Sequence, residues 1–306
     1  MGQIAFLFAG QGAQAPGMGR ELSENSGAAR EVFAVADALR PGTSEQCFSA
    51  DQATLSETIN TQPCVFAVDL AAAYALREAG VEPAAVAGFS LGEVAAVTFA
   101  GALTPEEGFD AVIRRAELMQ RAAERTPGGM AAVLKLENER VEALCAQFPG
   151  VFPVNYNCPG QLVAAGEKTA LAAFCAAAND AGGRTIPVKV SGAFHSPYMA
   201  DAAQEYLTQL SSFTFKPLLC PVYANSTALP YEEPVAPTLA KQIASPVLFE
   251  QTIRNMAARG IDTFIEVGPG KTLCGFIKKI DPELFAFNVQ DMESLRQTLQ
   301  FLEERA

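Results

Sequence analysis

The chain has 306 residues and a formal charge of −12, and with 49% apolar and 18% charged residues it reads as a globular protein, not a disordered one. The acidic balance argues against general nucleic-acid binding, which needs a basic face to displace counterions. Seven Cys form no Cys-x-x-Cys pair and stand beside a single His, so zinc-type spacing is absent and no metal site is expected.

In chain order, QIAFLF (3–8) reads as a short apolar strand followed by the glycine-rich loop AGQGAQAPGMG. The opening MGQIAFLFAGQG lacks the basic region of a signal peptide, and no apolar run approaches the roughly 18 residues of a spanning helix. A cytoplasmic protein with buried or free thiols is expected. An apolar helix is predicted from Pro63 to Ala79, with Gly80 to stop it. AAVAG (84–88) reads as a buried strand and LGEVAAVTFAG as a helix, so Ser90 falls at a strand-to-helix turn. The next helix runs from Pro105 to about Arg125, with Thr104 as N-cap, proline in its first turn and Glu107 closing a capping box.

After Thr126-Pro127-Gly128-Gly129 the rhythm changes to MAAVLKL strand, ENERVEALCAQF helix, VFPVNY strand, QLVAAG strand, EKTALAAFCAAANDAG helix and RTIPVKV strand. That β-α-β-β-α-β order is the ferredoxin-like split unit. The fold class is therefore α/β, with a large subdomain over 1–127 and 191–306 and a small one inserted at 128–190. Ser196-Pro197 opens a helix, PVYAN (221–225) is a strand, helices fill about 238–259, and DTFIEV (262–267) is a buried strand. GPGKTL starts another helix, and a polar helix from about 291 ends the chain.

Two glycine-rich stretches fail as phosphate loops. GPGKT would need glycine at Ile265, and no register of AGQGAQAPGMG yields G-x-G-x-x-G. What survives is Gly88-Phe89-Ser90-Leu91-Gly92, a match to G-x-S-x-G at the turn a nucleophile needs. If Ser90 works with a histidine it must be His195, the only one; alone, a single His at a helix start is also consistent with a structural role. On the 105–125 helix, Phe109, Val112, Ile113, Ala116, Met119 and Gln120 share a face, with Arg114 nearly opposite and Arg115 at its edge. Arg115 is open to two readings, a local salt bridge such as one to Glu117 or a clamp for a substrate carboxylate. Gln11 is either a simple turn residue or, at a strand's carboxyl end, a partner of Ser90 on one rim.

FAGQGAQ (8–14), GFSLGE (88–93), RRAELMQ (114–120) and GAFHSPYM (192–199) together resemble the malonyl-CoA:acyl carrier protein transacylase family, and NTQP (60–63), NYNCPGQLVAAG (155–166) and EVGPGKTL (266–273) add to the likeness over nearly the full length. The resemblance implies an α/β-hydrolase-like large subdomain with a parallel sheet, a ferredoxin-like small one, and a site between them. It implies Ser90 as the acylated nucleophile, His195 as its base and acid, and Arg115 as partner of the malonyl carboxylate. The backbone N–H groups of Gln11 and Leu91 would form the oxyanion hole. It further implies malonyl-CoA and acyl carrier protein as partners, no metal or redox cofactor, a monomer, and a ping-pong route in type II fatty acid synthesis. A trans-acting acyltransferase of polyketide synthesis is an alternative that the sequence leaves open.

The chain departs from the family pattern in places. Phe89 stands where many members have His. Leu248 stands where a Gln is expected to orient the histidine through its main-chain carbonyl, a role the Leu248 carbonyl is expected to fill. Phe194 resembles the malonyl-selective members, whose bulky ring fills the space of an α-methyl group. The rival readings are an ordinary serine hydrolase or thioesterase, an editing acyl hydrolase on the same scaffold, and a non-catalytic scaffold subunit. The late His of ordinary α/β-hydrolases is missing, and Arg115 has no use in an editing hydrolase. Lys189, Lys271, Lys278 and Lys279 are candidates for docking an acidic carrier protein.

Overall fold

The computed structural model describes residues 2–190 and 192–305. β1 (Gln3–Phe8) leads through a loop to α1 (Arg20–Asn25), α2 (Gly27–Leu39), α3 (Thr43–Ser49) and α4 (Gln52–Leu55). Then come α5 (Thr58–Glu78), β2 (Ala85–Gly88), α6 (Gly92–Phe99) and α7 (Pro105–Arg125). The middle of the chain holds β3 (Gly128–Leu134), α8 (Asn138–Cys145), β4 (Val151–Cys158), β5 (Gln161–Glu167), α9 (Lys168–Asp180) and β6 (Arg184–Pro187). The rest comprises α10 (Ala200–Leu210), β7 (Val222–Tyr223), α11 (Val235–Lys241), α12 (Phe249–Ala257), β8 (Ile261–Val267), α13 (Thr272–Ile280), β9 (Phe285–Val289) and α14 (Met292–Arg305).

Five strands form a parallel sheet in the order β7-β2-β1-β8-β9. β1 is central, and Ala5, Phe6, Leu7 and Phe8 are wholly buried, as an unbroken apolar run in a sheet covered on both faces requires. Phe8 pairs with both Gly88 and Val267, so β1, β2 and β8 end level. Their loops, 9–12, 89–91 and 268–271, therefore emerge on one rim, where ligands of parallel sheets gather.

The second sheet is antiparallel, in the order β4-β5-β3-β6, which is the ferredoxin-like arrangement of a β-α-β-β-α-β unit. Val133, Val141, Leu162 and Phe174 give it a core of its own. Backbone bonds stitch it to the larger body, from Tyr156 N–H to the Val247 carbonyl (2.9 Å) and from Val247 N–H to the Val154 carbonyl (2.7 Å). The expected 190/191 boundary falls on Ser191, which lies outside the described residues.

α7 has the expected bounds, because its cap is complete: Thr104 Oγ1 accepts from Glu107 N–H at 3.2 Å and Glu107 Oε2 accepts from Thr104 N–H at 2.9 Å. α5 starts at Thr58, before Pro63, since the N–H groups of Asn60 and Thr61 close its first turn on the Glu57 carbonyl (2.8 and 2.7 Å). β6 ends at Pro187 instead of 190. The four helices α1 to α4 and the edge strand β9 are additions to the sequence reading.

Candidate active site

β2 delivers Ser90 to the rim in a left-handed conformation (φ 56°), and α6 begins two residues later. Such strain in a non-glycine residue persists only where its surroundings enforce it. Here they do. A Cβ on Gly88 would lie 1.9 Å from the Gly92 carbonyl carbon, and one on Gly92 would lie 2.3 Å from the Phe8 carbonyl oxygen. Because these obstacles are backbone, Gly88→Ala is expected to cost more than about 4 kcal/mol, read as a lost or strongly lowered denaturation midpoint. A midpoint near that of the parent would show that the elbow can relax.

His195, also left-handed (φ 61°), reaches Ser90 across the cleft, with Oγ and Nε2 2.7 Å apart. Its Nδ1 faces two carbonyl oxygens, those of Gln242 (3.1 Å) and Ser245 (3.2 Å). Carbonyls only accept, so Nδ1 carries the hydrogen and Nε2 is the free base that takes the Ser90 O–H. Burial and, after it, the Arg115 charge push the His195 pKa down to about 4, so the ring is neutral at neutral pH.

The carbonyl of Leu248, expected to hold this ring, does something else. It accepts the N–H (2.9 Å) and the hydroxyl (3.0 Å) of Thr252 at the start of α12. Gln242 and Ser245, on the short helical turn before Pro246, take its place.

Arg115 is 1% exposed. Its Nη1 donates to Gln62 Oε1 (2.7 Å), and its Nη2 to Gln242 Oε1 (2.9 Å) and Ser90 Oγ (3.2 Å). Among the described residues no carboxylate pairs with it, so the salt-bridge reading is set aside. Burial lowers its pKa to about 10, which leaves it charged at neutral pH. A buried cation solvated only by amide and hydroxyl oxygens is built to receive an anion beside Ser90. Arg114, by contrast, turns outward to Asp110 (2.6 Å).

The Ser90 N–H is bound to Asn225 Oδ1 (2.8 Å) and so is withdrawn from any oxyanion. Those of Leu91 and Gln11 have no protein acceptor among the described residues. Asn225 also donates to the Gly88 carbonyl (2.6 Å), and its own N–H goes to Glu93 Oε2 (3.1 Å). Glu93, entirely buried, accepts the Tyr231 hydroxyl at its other oxygen, and burial pushes its pKa up to about 7. Gln242 adds a bond from Nε2 to the Ser90 carbonyl (2.6 Å), so one residue touches nucleophile, base and guanidinium.

A cleft of about 200 Å³ opens beside this cluster between the two sheets, lined by Gln11, Phe89, Asn155, Asn157, Gln161 and Phe276 among others. Phe89 packs against Phe249 and Phe276 at ring distances of 5.6 and 6.3 Å, so it serves as wall and not as a base. Phe194 is buried beside His195. Lys278 and Lys279 are exposed on α13, whose Leu273 and Phe276 line the cleft; Lys271 is exposed just before that helix, and Lys189 borders a separate groove beside Ile59. Among the described residues, no group of three His, Cys, Asp or Glu side chains is placed to hold a metal ion.

Gln62, Asn225, Gln242 and Ser245 were not singled out as site residues from sequence. Only Gln62 carried a signal, as part of NTQP.

Residues 5–294 match the acyl transferase domain family. The malonyl CoA-acyl carrier protein transacylase of Bacillus subtilis (strain 168) is 36% identical, over 99% of this chain and 98% of that protein. The crystal structure of the enzyme so named from Clostridium perfringens superposes with a TM-score of 0.95 at 37% identity, covering 99% of this chain and 98% of its own. A malonyl-transacylase solved in complex with its type II polyketide acyl-carrier protein gives 0.94 at 31% identity, covering 97% and 99%.

Proposed function

We propose, for a chain that belongs to the acyl transferase family and within it to the malonyl-CoA:acyl carrier protein transacylases, that this site moves a malonyl group from malonyl-CoA to the phosphopantetheine thiol of an acyl carrier protein. The observation that carries the reading is Arg115, a buried cation with no carboxylate partner among the described residues, 3.2 Å from the Ser90 hydroxyl.

The malonyl carboxylate takes the two Nη groups of Arg115, which sets the thioester carbonyl over Ser90 and its oxygen toward the N–H groups of Gln11 and Leu91. Such donors act most strongly where water is excluded and charge develops. His195 Nε2 removes the Ser90 proton as Oγ attacks; the carbon–sulfur bond breaks, and the imidazolium returns the proton to the CoA sulfur. In the second half the phosphopantetheine thiol gives its proton to Nε2 and attacks the malonyl ester, and Ser90 leaves with that proton. Every proton and bond is accounted for by these groups, so the reaction calls for no cofactor beyond the malonyl-CoA thioester and the carrier's phosphopantetheine thiol. Phe194 narrows the pocket against a branched acyl group. Lys271, Lys278 and Lys279, close to the cleft residues of α13, meet the acidic carrier, with Lys189 at the edge of the groove beside Ile59. The enzyme acts as a cytoplasmic monomer, a placement consistent with its seven free thiols.

Incubation with malonyl-CoA, then with holo acyl carrier protein, tests this reading. The mass of malonyl should appear on the enzyme and then pass to the carrier. Release as free malonate instead would make water the acceptor and the protein a hydrolase.

The acid limb of the reaction follows from the depressed His195 pKa. The base must be neutral, so kcat/KM, which reports the free enzyme, is expected to hold as pH falls below 6.5 and to drop only near 4. Single-turnover acylation across that range measures it. A limb at the ordinary histidine value would mean that His195 is more solvated than its burial allows.

A further inference from the structure

A guanidinium carries five N–H hydrogens in one plane, one on Nε and two on each Nη. In Arg115, Nη2 meets two acceptors, Gln242 Oε1 at 2.9 Å and Ser90 Oγ at 3.2 Å, so both of its hydrogens are engaged. Nη1 meets one, Gln62 Oε1 at 2.7 Å, and the buried Nε–H meets none among the described residues. A carboxylate takes two parallel bonds from such a group either across both Nη atoms or across Nε and Nη2. Each arrangement uses a hydrogen of Nη2, and Nη2 has none to spare.

One of its two bonds must therefore yield, and the one to Ser90 is the longer. The Gln242 amide is also tied at its other end, with Nε2 on the Ser90 carbonyl (2.6 Å) and on Asn225 Oδ1 (3.3 Å), so its oxygen is not free to turn away. Ser90 Oγ, by contrast, keeps His195 Nε2 as a partner at 2.7 Å when Arg115 lets go. While the bond stands, the hydroxyl gives its hydrogen to the base and has a lone pair engaged by a cation. That second contact draws electron density away from the oxygen that has to attack.

We propose that Arg115 holds the Ser90 hydroxyl in check until an acyl group brings a carboxylate to take over Nη2, so that malonyl-CoA releases its own nucleophile and an acyl group without a carboxylate leaves it tied. Discrimination then falls on the maximal rate of acylation and not on binding alone. The same carboxylate offsets the Arg115 charge that, after burial, weakens His195 as a base, so nucleophile and base are released together. The inference rests on the reading of Arg115 as the carboxylate clamp.

Splitting malonyl into its two parts tests the release: acetyl-CoA supplies the reacting carbonyl and formate the carboxylate. Single-turnover acylation of Ser90 is followed by intact mass at saturating acetyl-CoA, with formate raised to the level that halves acylation by limiting malonyl-CoA. Acetylation is expected to rise about tenfold, the size of one hydrogen bond to a charged group. In Arg115→Ala formate should leave it unchanged, because there is no bond to release. Formate that competes with malonyl-CoA but does not speed acetylation overturns the release and spares the clamp. Acceleration that persists in Arg115→Ala overturns it as well, since the anion then acts elsewhere. Formate that never competes with malonyl-CoA denies Arg115 its anion, and clamp and release fall together.

Discussion

Ser90→Ala is expected to leave no malonyl adduct on the protein and to lower transfer to the carrier by roughly 10⁴-fold or more, the scale on which serine nucleophiles fail when removed. The fold should survive the change. The Ser90 backbone is held from both sides, its N–H by Asn225 and its carbonyl by Gln242, so the elbow keeps its shape without the hydroxyl. What disappears is an oxygen that both His195 and Arg115 address. Intact-mass measurement after brief exposure to malonyl-CoA decides the matter. A residual adduct on the variant would place the acyl group elsewhere and dismantle the mechanism, whereas a clean loss with an unchanged melting temperature assigns it to this oxygen.

Arg115→Ala is expected to lower malonyl transfer by roughly 10²–10³-fold, the cost of leaving a bound carboxylate without its buried partner. Acetyl transfer should change far less, because an acetyl group carries no charge to neutralise and the Ser90–His195 hydrogen bond remains, although Ser90 Oγ loses its contact with Nη2. The side chain also satisfies the oxygens of Gln62 and Gln242, so some loss of stability will accompany the change. The acetyl rate serves as the internal control for that loss. Equal declines for both acyl groups would show that the guanidinium organises the nucleophile in general and selects nothing.

Much of the architecture could be read from local chemistry. The capping box of Thr104 and Glu107 announces α7 to the residue, and the alternating strands and helices of 128–187 announce the split unit. Helical periodicity separated Arg115 from Arg114, although it placed Arg115 at the edge of a face that the structure buries. The helices α1, α3 and α4 are short and β9 is an edge strand only partly buried, so these lack the pattern that burial imprints, whereas α2 does carry a helical apolar period, in Ala29, Val32, Phe33 and Ala36. The miss at Leu248 has a different cause. What holds His195 is a pair of main-chain carbonyls, and since every residue has one, no side chain advertises which will be used. Gln242 was hidden for a related reason, since its three contacts come from parts of the chain that meet only in the folded state.

The pairing of β1 with β8 joins the first strand of the protein to one of the last. During synthesis β1 can find β2 early, but its other edge stays open until β8, at Ile261–Val267, has left the ribosome. For that interval an apolar strand offers a full row of unpaired N–H and C=O groups to any neighbouring nascent chain. Biogenesis, more than the finished enzyme, is then the stage at which this molecule is most exposed to aggregation, and changes in the speed of translation will bear on its yield without altering a single contact of the native state.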